Sequence, residues 1–256
     1  MITGLLLMSF LVGLMVGLTS MGGAALMTPF LILVLGVRPV LAVGTDLVYG
    51  SLTKIAGAWM HWKQGTVDLR VCFRMAVASV PCGILGVLSM SELHKLGLDI
   101  DQYVRTALGI ALLLVALIVF AKAFGFTPNP RWGDFILKHE KLATVLWGGI
   151  IGFAVGFTSV GSGSLIAPFL MILFPKNPAR VVGTDVFHAA ILVTATAAFH
   201  SNAGNVDWQL VPILLAGSIP GVLVGSYLAP RLPAKTLRVG LSVLLFATGW
   251  KLVKFI

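Results

Sequence analysis

Ten apolar stretches run along the chain, near residues 2–18, 23–36, 40–62, 70–90 and 102–124, then 142–158, 162–174, 179–200, 209–229 and 235–255. Most are close to the roughly 20 apolar residues that a helix needs to cross the hydrocarbon layer. No alternating ten-residue pattern of a barrel strand appears, and lipid forces every backbone group to pair internally, so the predicted elements are helices. The first two stretches of each half are short and meet at a glycine-rich tip, and the second of each is well below a straight span. They read as broken or re-entrant elements, and whether each short pair crosses twice or dips in and returns stays open.

The pattern is written twice. Residues 17–86 align without a gap on residues 156–225, at a constant offset of 139. Roughly 22 of these 70 aligned positions are identical, more than shared apolarity gives. Gly17-Leu18-Thr19-Ser20-Met21-Gly22 lies over Gly156-Phe157-Thr158-Ser159-Val160-Gly161, and Pro29-Phe30-Leu31 over Pro168-Phe169-Leu170. Val43-Gly44-Thr45-Asp46 returns as Val182-Gly183-Thr184-Asp185, and His61, Gly65, Val67, Asp68, Pro81 and Gly86 return as His200, Gly204, Val206, Asp207, Pro220 and Gly225. The predicted organisation is a first membrane repeat over 1–125, a polar linker over 126–141 and a second membrane repeat over 142–256. A duplicated membrane segment of this kind is the sequence mark of a transporter built from two repeats.

Each half has a short pair that makes no net crossing plus three spanning stretches, an odd total, so the second half is expected upside down relative to the first. Charge supports that expectation. The inverted arrangement gathers Lys63, Arg70, Arg74, Lys122, Arg131, Lys138, Lys141, Lys176, Arg180, Arg231, Lys235 and Arg238 on one side, and leaves Arg38, Lys95, Arg105, Lys251 and Lys254 on the other. About twelve cations against five make the first side cytoplasmic and put both termini outside the cytoplasm. The predicted class is therefore an all-α polytopic membrane protein with two inverted-topology repeats, in the cell (inner) membrane.

Composition agrees: of 256 residues 58% are hydrophobic and 11% charged, with a mean hydropathy of +1.00. Such a chain cannot cover its apolar side chains in water. The net charge of +9 sits in short links rather than on one basic face, which points to orientation in the bilayer and not to nucleic acid. Cys72 and Cys82 lie about 15 Å apart along one predicted helix, too far to bridge. The amino-terminal stretch, whose Gly13 and Gly17 recur as Gly152 and Gly156, reads as part of the mature fold rather than a signal peptide.

The candidate chemistry sits where polar residues recur inside apolar runs. Two tips, Thr19-Ser20-Met21-Gly22-Gly23 and Thr158-Ser159-Val160-Gly161-Ser162-Gly163-Ser164, each precede a short helix. Glycine lets the backbone turn, and the first amides of the next helix lack internal partners, so facing tips can hold an anion. The binding set expected is Thr19, Ser20, Gly22 and Gly23 with Thr158, Ser159, Gly161, Ser162, Gly163 and Ser164, whose hydroxyls add donors. The competing reading is close packing of small residues.

Asp46 and Asp185 are the carboxylates placed within apolar stretches, where a charge costs at least about 2.5 to 3.5 kcal/mol at the bilayer centre. Two readings stand: they satisfy amides near helix starts, or they carry a proton or ion. Lys54, whose repeat mate is Val193, is the cation expected deepest in the membrane. It pairs with Asp185, approaches an anionic substrate, or snorkels to water. His61 and His200 are read as interfacial helix ends and His188 as facing a wet cavity. Trp59, Trp62, Trp132, Trp147, Trp208 and Trp250 mostly flank the apolar runs as an interfacial belt. No metal-ligand spacing, phosphate-binding loop, nucleophile elbow or cofactor motif appears, so the chain is not read as an enzyme and no cofactor is expected.

The paired tips with Pro-Phe-Leu and Val-Gly-Thr-Asp in each half resemble the sulfite exporter TauE/SafE family, also called the 4-toluene sulfonate uptake permease family, over essentially the whole chain. The resemblance implies transport of small sulfur-containing anions such as sulfite, sulfonates or sulfoacetate across a bacterial or archaeal membrane. An inside-negative potential favours export of an anion, whereas uptake needs a coupled proton or cation. The first expectation is a secondary carrier of such an anion, with the lipid bilayer as its surroundings. The second is a proton- or cation-coupled transporter of a different substrate using Asp46 and Asp185, and the third is a membrane scaffold.

Overall fold

The computed structural model describes residues 2–19, 24–125, 134, 136–174, 177–228 and 233–254. Ten helices run through them: α1 (Ile2–Thr19), α2 (Ala24–Leu33), α3 (Pro39–Lys63), α4 (Leu69–Lys95), α5 (Ile100–Ala123), α6 (Glu140–Thr158), α7 (Ile166–Leu173), α8 (Pro178–Asn202), α9 (Leu210–Leu228) and α10 (Ala234–Lys254). No strand occurs among the described residues. Each helix falls on one of the ten apolar stretches, so the chain is all-helical as its hydropathy dictates. Five helices, α4, α5, α6, α8 and α10, are long and apolar enough to cross a membrane. α3 has 25 residues, about 37 Å of rise, but carries Asp46, Lys54 and Lys63.

The local stops follow ordinary rules. Proline opens α3 and α8, where its missing N–H is not needed. Gly36, Gly65, Gly97, Gly125 and Gly204 turn the chain at positive φ between helices. Asp99 caps α5 through the Gln102 N–H, and Asn177 caps α8 through the Arg180 N–H.

Packing is mostly between halves. The most extensive contacts join α1 to α9 and α4 to α6, followed by α5 with α10 and α3 with α8. Exchanging each helix for its repeat equivalent turns the first pair into the second. Small residues make both approaches close: a Cβ on Gly13 would strike the Ser218 backbone, and one on Gly152 would strike the equivalent backbone at Ser79. Gly217, Gly221 and Gly225 meet residues 6–9, 10–14 and 14–18 in order, so α1 and α9 run parallel. By contrast Gly44 near the start of α3 meets Asn205 beyond the end of α8, and Gly183 near the start of α8 meets Thr66 beyond the end of α3. Those two helices run antiparallel. Two apolar clusters result, one around Met27, Leu31, Leu112 and Leu245, the other around Leu47, Met75, Ile166 and Leu192.

The polar links collect at two ends. At one end Arg180 pairs with Asp68 at 2.6 Å, Arg74 with Glu140 at 2.7 Å, and Lys235 lies over the Phe124 ring. At the other, a cavity of about 540 Å³ is lined by Arg38, Lys95, Asp99, Asp101 and Asn205. Asp101 there accepts the Val40 N–H at 3.1 Å.

Candidate substrate site

Between α6 and α7 the chain forms the second tip. α6 ends as Ser159 takes a left-handed conformation with φ 63°, and Gly161 and Gly163 continue with φ 129° and 101°. Ser159 is the non-glycine residue with positive φ among the described residues, a strained state that tertiary contacts must hold. Beside it, Thr158 Oγ1 donates to the Ala154 carbonyl at 2.7 Å and accepts the Val160 N–H at 3.2 Å.

The tip is interior. Thr158, Ser159, Val160, Ser162 and Ser164 are all buried, and Val160 belongs to the cluster that contains Met27 and Phe30 of α2. The amides of Gly161, Ser162, Gly163 and Ser164 make no backbone hydrogen bond among the described residues. Ser162 Oγ, 3% exposed at the residue level, has no partner either. Buried polar groups are normally satisfied, so a cluster of free donors in an apolar interior calls for an acceptor.

The tip reaches across to the other half. Ser159 Oγ donates to Asp46 Oδ2 at 2.7 Å, and Thr28 Oγ1 of α2 donates to the same oxygen at 2.6 Å. Asp46 lies a turn or two inside α3, and its hydrogen bonds are with these hydroxyls rather than with α3 amides. Its Oδ1 is buried without a partner, as is Asp185 Oδ1. Lys54 stands within electrostatic reach of both carboxylates. Asp46 therefore joins α2, α3 and the second tip.

Asp185 occupies the equivalent place in α8, but position 167 is alanine where the first half has Thr28. Ser20, the equivalent of Ser159, lies outside the described residues together with Met21, Gly22 and Gly23. Of Thr19 only its place at the end of α1 is described. His188, placed by sequence beside a wet cavity, is fully buried with Nε2 2.7 Å from Ser79 Oγ, and its Nδ1 is without a partner. Its repeat equivalent Tyr49 sits beside Ser218, the equivalent of Ser79. His61 lies at a helix end, 3.1 Å from Thr66 Oγ1. His200, expected there too, is buried instead and meets the Gly156 carbonyl at 2.9 Å. No group of three His, Cys, Asp or Glu able to hold a metal occurs among the described residues.

Two contacts between the halves escaped the sequence reading. Thr45 Oγ1 accepts the Asp207 N–H and Thr184 Oγ1 accepts the Asp68 N–H, each at 2.9 Å. In each half the threonine of Val-Gly-Thr-Asp thus ties down the link before the fourth helix of the other half. The signal was present in the sequence, since Thr45, Asp68, Thr184 and Asp207 recur at one offset.

Comparison with known proteins covers nearly the whole chain. The family described as "Sulfite exporter TauE/SafE" matches residues 5–252. "Probable membrane transporter protein YjnA" of Bacillus subtilis is 41% identical over 99% of this chain and 100% of its own length. A "Probable membrane transporter protein" of Xylella fastidiosa is 29% identical over 88% of this chain and 83% of its own. "Probable membrane transporter protein YunE" of Bacillus subtilis is 22% identical over 97% and 96%. No solved structure matches.

Proposed function

The chain belongs to the sulfite exporter TauE/SafE family and is a multi-pass membrane transporter, and from that premise we propose that it moves a small sulfur-containing anion, such as sulfite, a sulfonate or sulfoacetate, out of the cell through a site at the glycine-rich tips. The observation that carries this reading is the buried second tip, with four amides and the Ser162 hydroxyl free of partners among the described residues. Free amides just ahead of α7, together with the positive end of that helix, favour an anion by on the order of 1 kcal/mol. Modest binding suits a carrier that must also release. The substrate set on this reading is Thr158, Ser159, Gly161, Ser162, Gly163 and Ser164 with Thr19, Ser20, Gly22, Gly23 and Lys54.

The two repeats, 1–125 and 142–256 joined by the linker 126–141, sit inverted in the cell (inner) membrane on this reading. The antiparallel run of the equivalent helices α3 and α8 supports it, as does the gathering of cationic links around Arg180 and Arg74. With the cytoplasm on that side, an inside-negative potential drives each negative charge outward by about 2.3 kcal/mol per 100 mV. Alternating exposure of a central site between two rocking halves completes the cycle.

The test is flux of radiolabelled sulfite, sulfoacetate and methanesulfonate in proteoliposomes. The anions are expected to move and Ser159→Ala to slow them severalfold or more. Flux unaffected by Ser159→Ala and Ser162→Ala, or movement of metal cations in place of the anions, overturns the reading.

A further inference from the structure

Asp46 is met from several elements at once. Thr28 of α2 and Ser159 of the tip both donate to Oδ2, while the buried Oδ1 has no partner. The charged and titratable groups facing it are Lys54 and Tyr49 on its own helix, with Asp185 of α8 beyond Lys54. α2 and the tip bring hydroxyls. A serine hydroxyl has one proton to donate, so Ser159 serves Asp46 or a bound anion, and not both together. An anion that reaches the free tip amides also brings a second negative charge beside a carboxylate held out of water, and like charges in such a place do not both persist.

We propose, building on the tip as an anion site, that Ser159 is shared between Asp46 and the transported anion, so that each anion enters with one proton taken up by Asp46. The proton comes from water on the open side, converts the carboxylate to a neutral carboxyl as the Ser159 hydroxyl turns to the anion, and leaves to water on the other side when the anion does. The charge moved is that of the anion plus one. A monovalent sulfonate then crosses without net charge and follows the pH gradient alone, so export driven by the potential is confined to anions of higher charge. Divalent sulfoacetate carries one net negative charge, which keeps its export along the membrane potential.

The experiment uses the full chain in proteoliposomes with the potential clamped at zero and the outside one pH unit more acidic, with radiolabelled methanesulfonate and sulfoacetate as probes. One proton per anion gives about tenfold accumulation inside at equilibrium for either probe. Asp46→Asn is expected to bring the label only to equal concentrations on both sides. Transport of the probes by the unaltered protein without accumulation overturns the coupling and leaves the anion site standing. Movement of neither probe overturns the anion site and the coupling with it, and tenfold accumulation by Asp46→Asn removes Asp46 from the role. Should that variant fail to fold, accumulation by the unaltered protein against protein-free vesicles decides.

Discussion

Thr184 Oγ1 accepts the main-chain N–H of Asp68 at 2.9 Å, although 116 residues separate them. The equivalent pair, Thr45 and Asp207, repeats the contact in the other direction at the same distance. Each link also carries its own helix start: Asp68 Oδ1 accepts the Val71 N–H and Asp207 Oδ1 the Leu210 N–H. The halves are thus pinned to one another by matched bonds at opposite ends of α3 and α8. Replacing either threonine by valine keeps the shape and leaves an amide without its acceptor, a loss of about 1 to 3 kcal/mol. Thr45→Val and Thr184→Val are expected to lower the melting midpoint in detergent by similar amounts, with serine at either place restoring most of it. A fall for one variant alone would mean the two contacts are not equivalent.

Close packing of α1 on α9 and of α4 on α6 depends on absent side chains. A methyl group on Gly152 would run into the Ser79 backbone, and one on Gly13 into that of Ser218. Backbone cannot step aside as a side chain can, so Gly152→Val and Gly13→Val are expected to cost about 1 to 3 kcal/mol or more through overpacking. Gly240, where a Cβ meets nothing within 4 Å, is the control, and Gly240→Ala is expected to leave the midpoint unchanged or raise it. Size-exclusion profiles and thermal melts in detergent separate these outcomes.

Much of this architecture was legible in the order of residues. Helix positions follow from apolar run length, because lipid leaves the backbone no other way to satisfy itself. Gly13 and Gly152 recur at the repeat offset, but the order of residues does not say which helices they face. The contact of Ser159 with Asp46 was not legible, because it joins residues 113 apart and depends on how one half lies on the other. Of the two readings of Asp46, the one taken from its own helix pointed to the amides at the start of α3, whereas its hydrogen-bond partners come from α2 and from the second tip. Burial of His200 was hidden for the same reason. Its position in α8 is terminal in sequence but interior once α6 covers it with the Gly156 carbonyl.

Asp46 itself gives a stability prediction apart from transport. Hydrogen bonds to a buried carboxylate are each worth about 1.5 to 3 kcal/mol. Thr28→Val removes one donor and leaves Ser159 to hold the charge. Combining Thr28→Val with Ser159→Ala leaves a buried charge with no donor, where losses reach about 3 to 5 kcal/mol. In a double-mutant cycle read by thermal melts, the combined loss is expected to exceed the sum of the single losses. Additive losses would show that the two hydroxyls act independently of the shared oxygen.

Orientation is the remaining prediction, and it follows from which links share an end. Arg180 with Asp68, Arg74 with Glu140, and Lys235 over Phe124 bring the links that carry Lys63, Arg70, Lys138, Lys141 and Arg238 to one end of the bundle. Arg38 and Lys95 line the cavity at the other, together with Asp99 and Asp101. Short cationic links tend to stay in the cytoplasm, so the end bearing Arg180 is expected to face inward, and α10, whose start lies near Phe124, to deliver its last residues to the outside. A phosphatase that works only outside the cytoplasm, fused after Ile256, is expected to be active in cells, and the same fusion within residues 64–68 to be inactive. The reverse pattern would turn the molecule over, and with it the side on which an anion enters the tips. Equal activity at both fusions would place the two links on one side and rule out antiparallel halves.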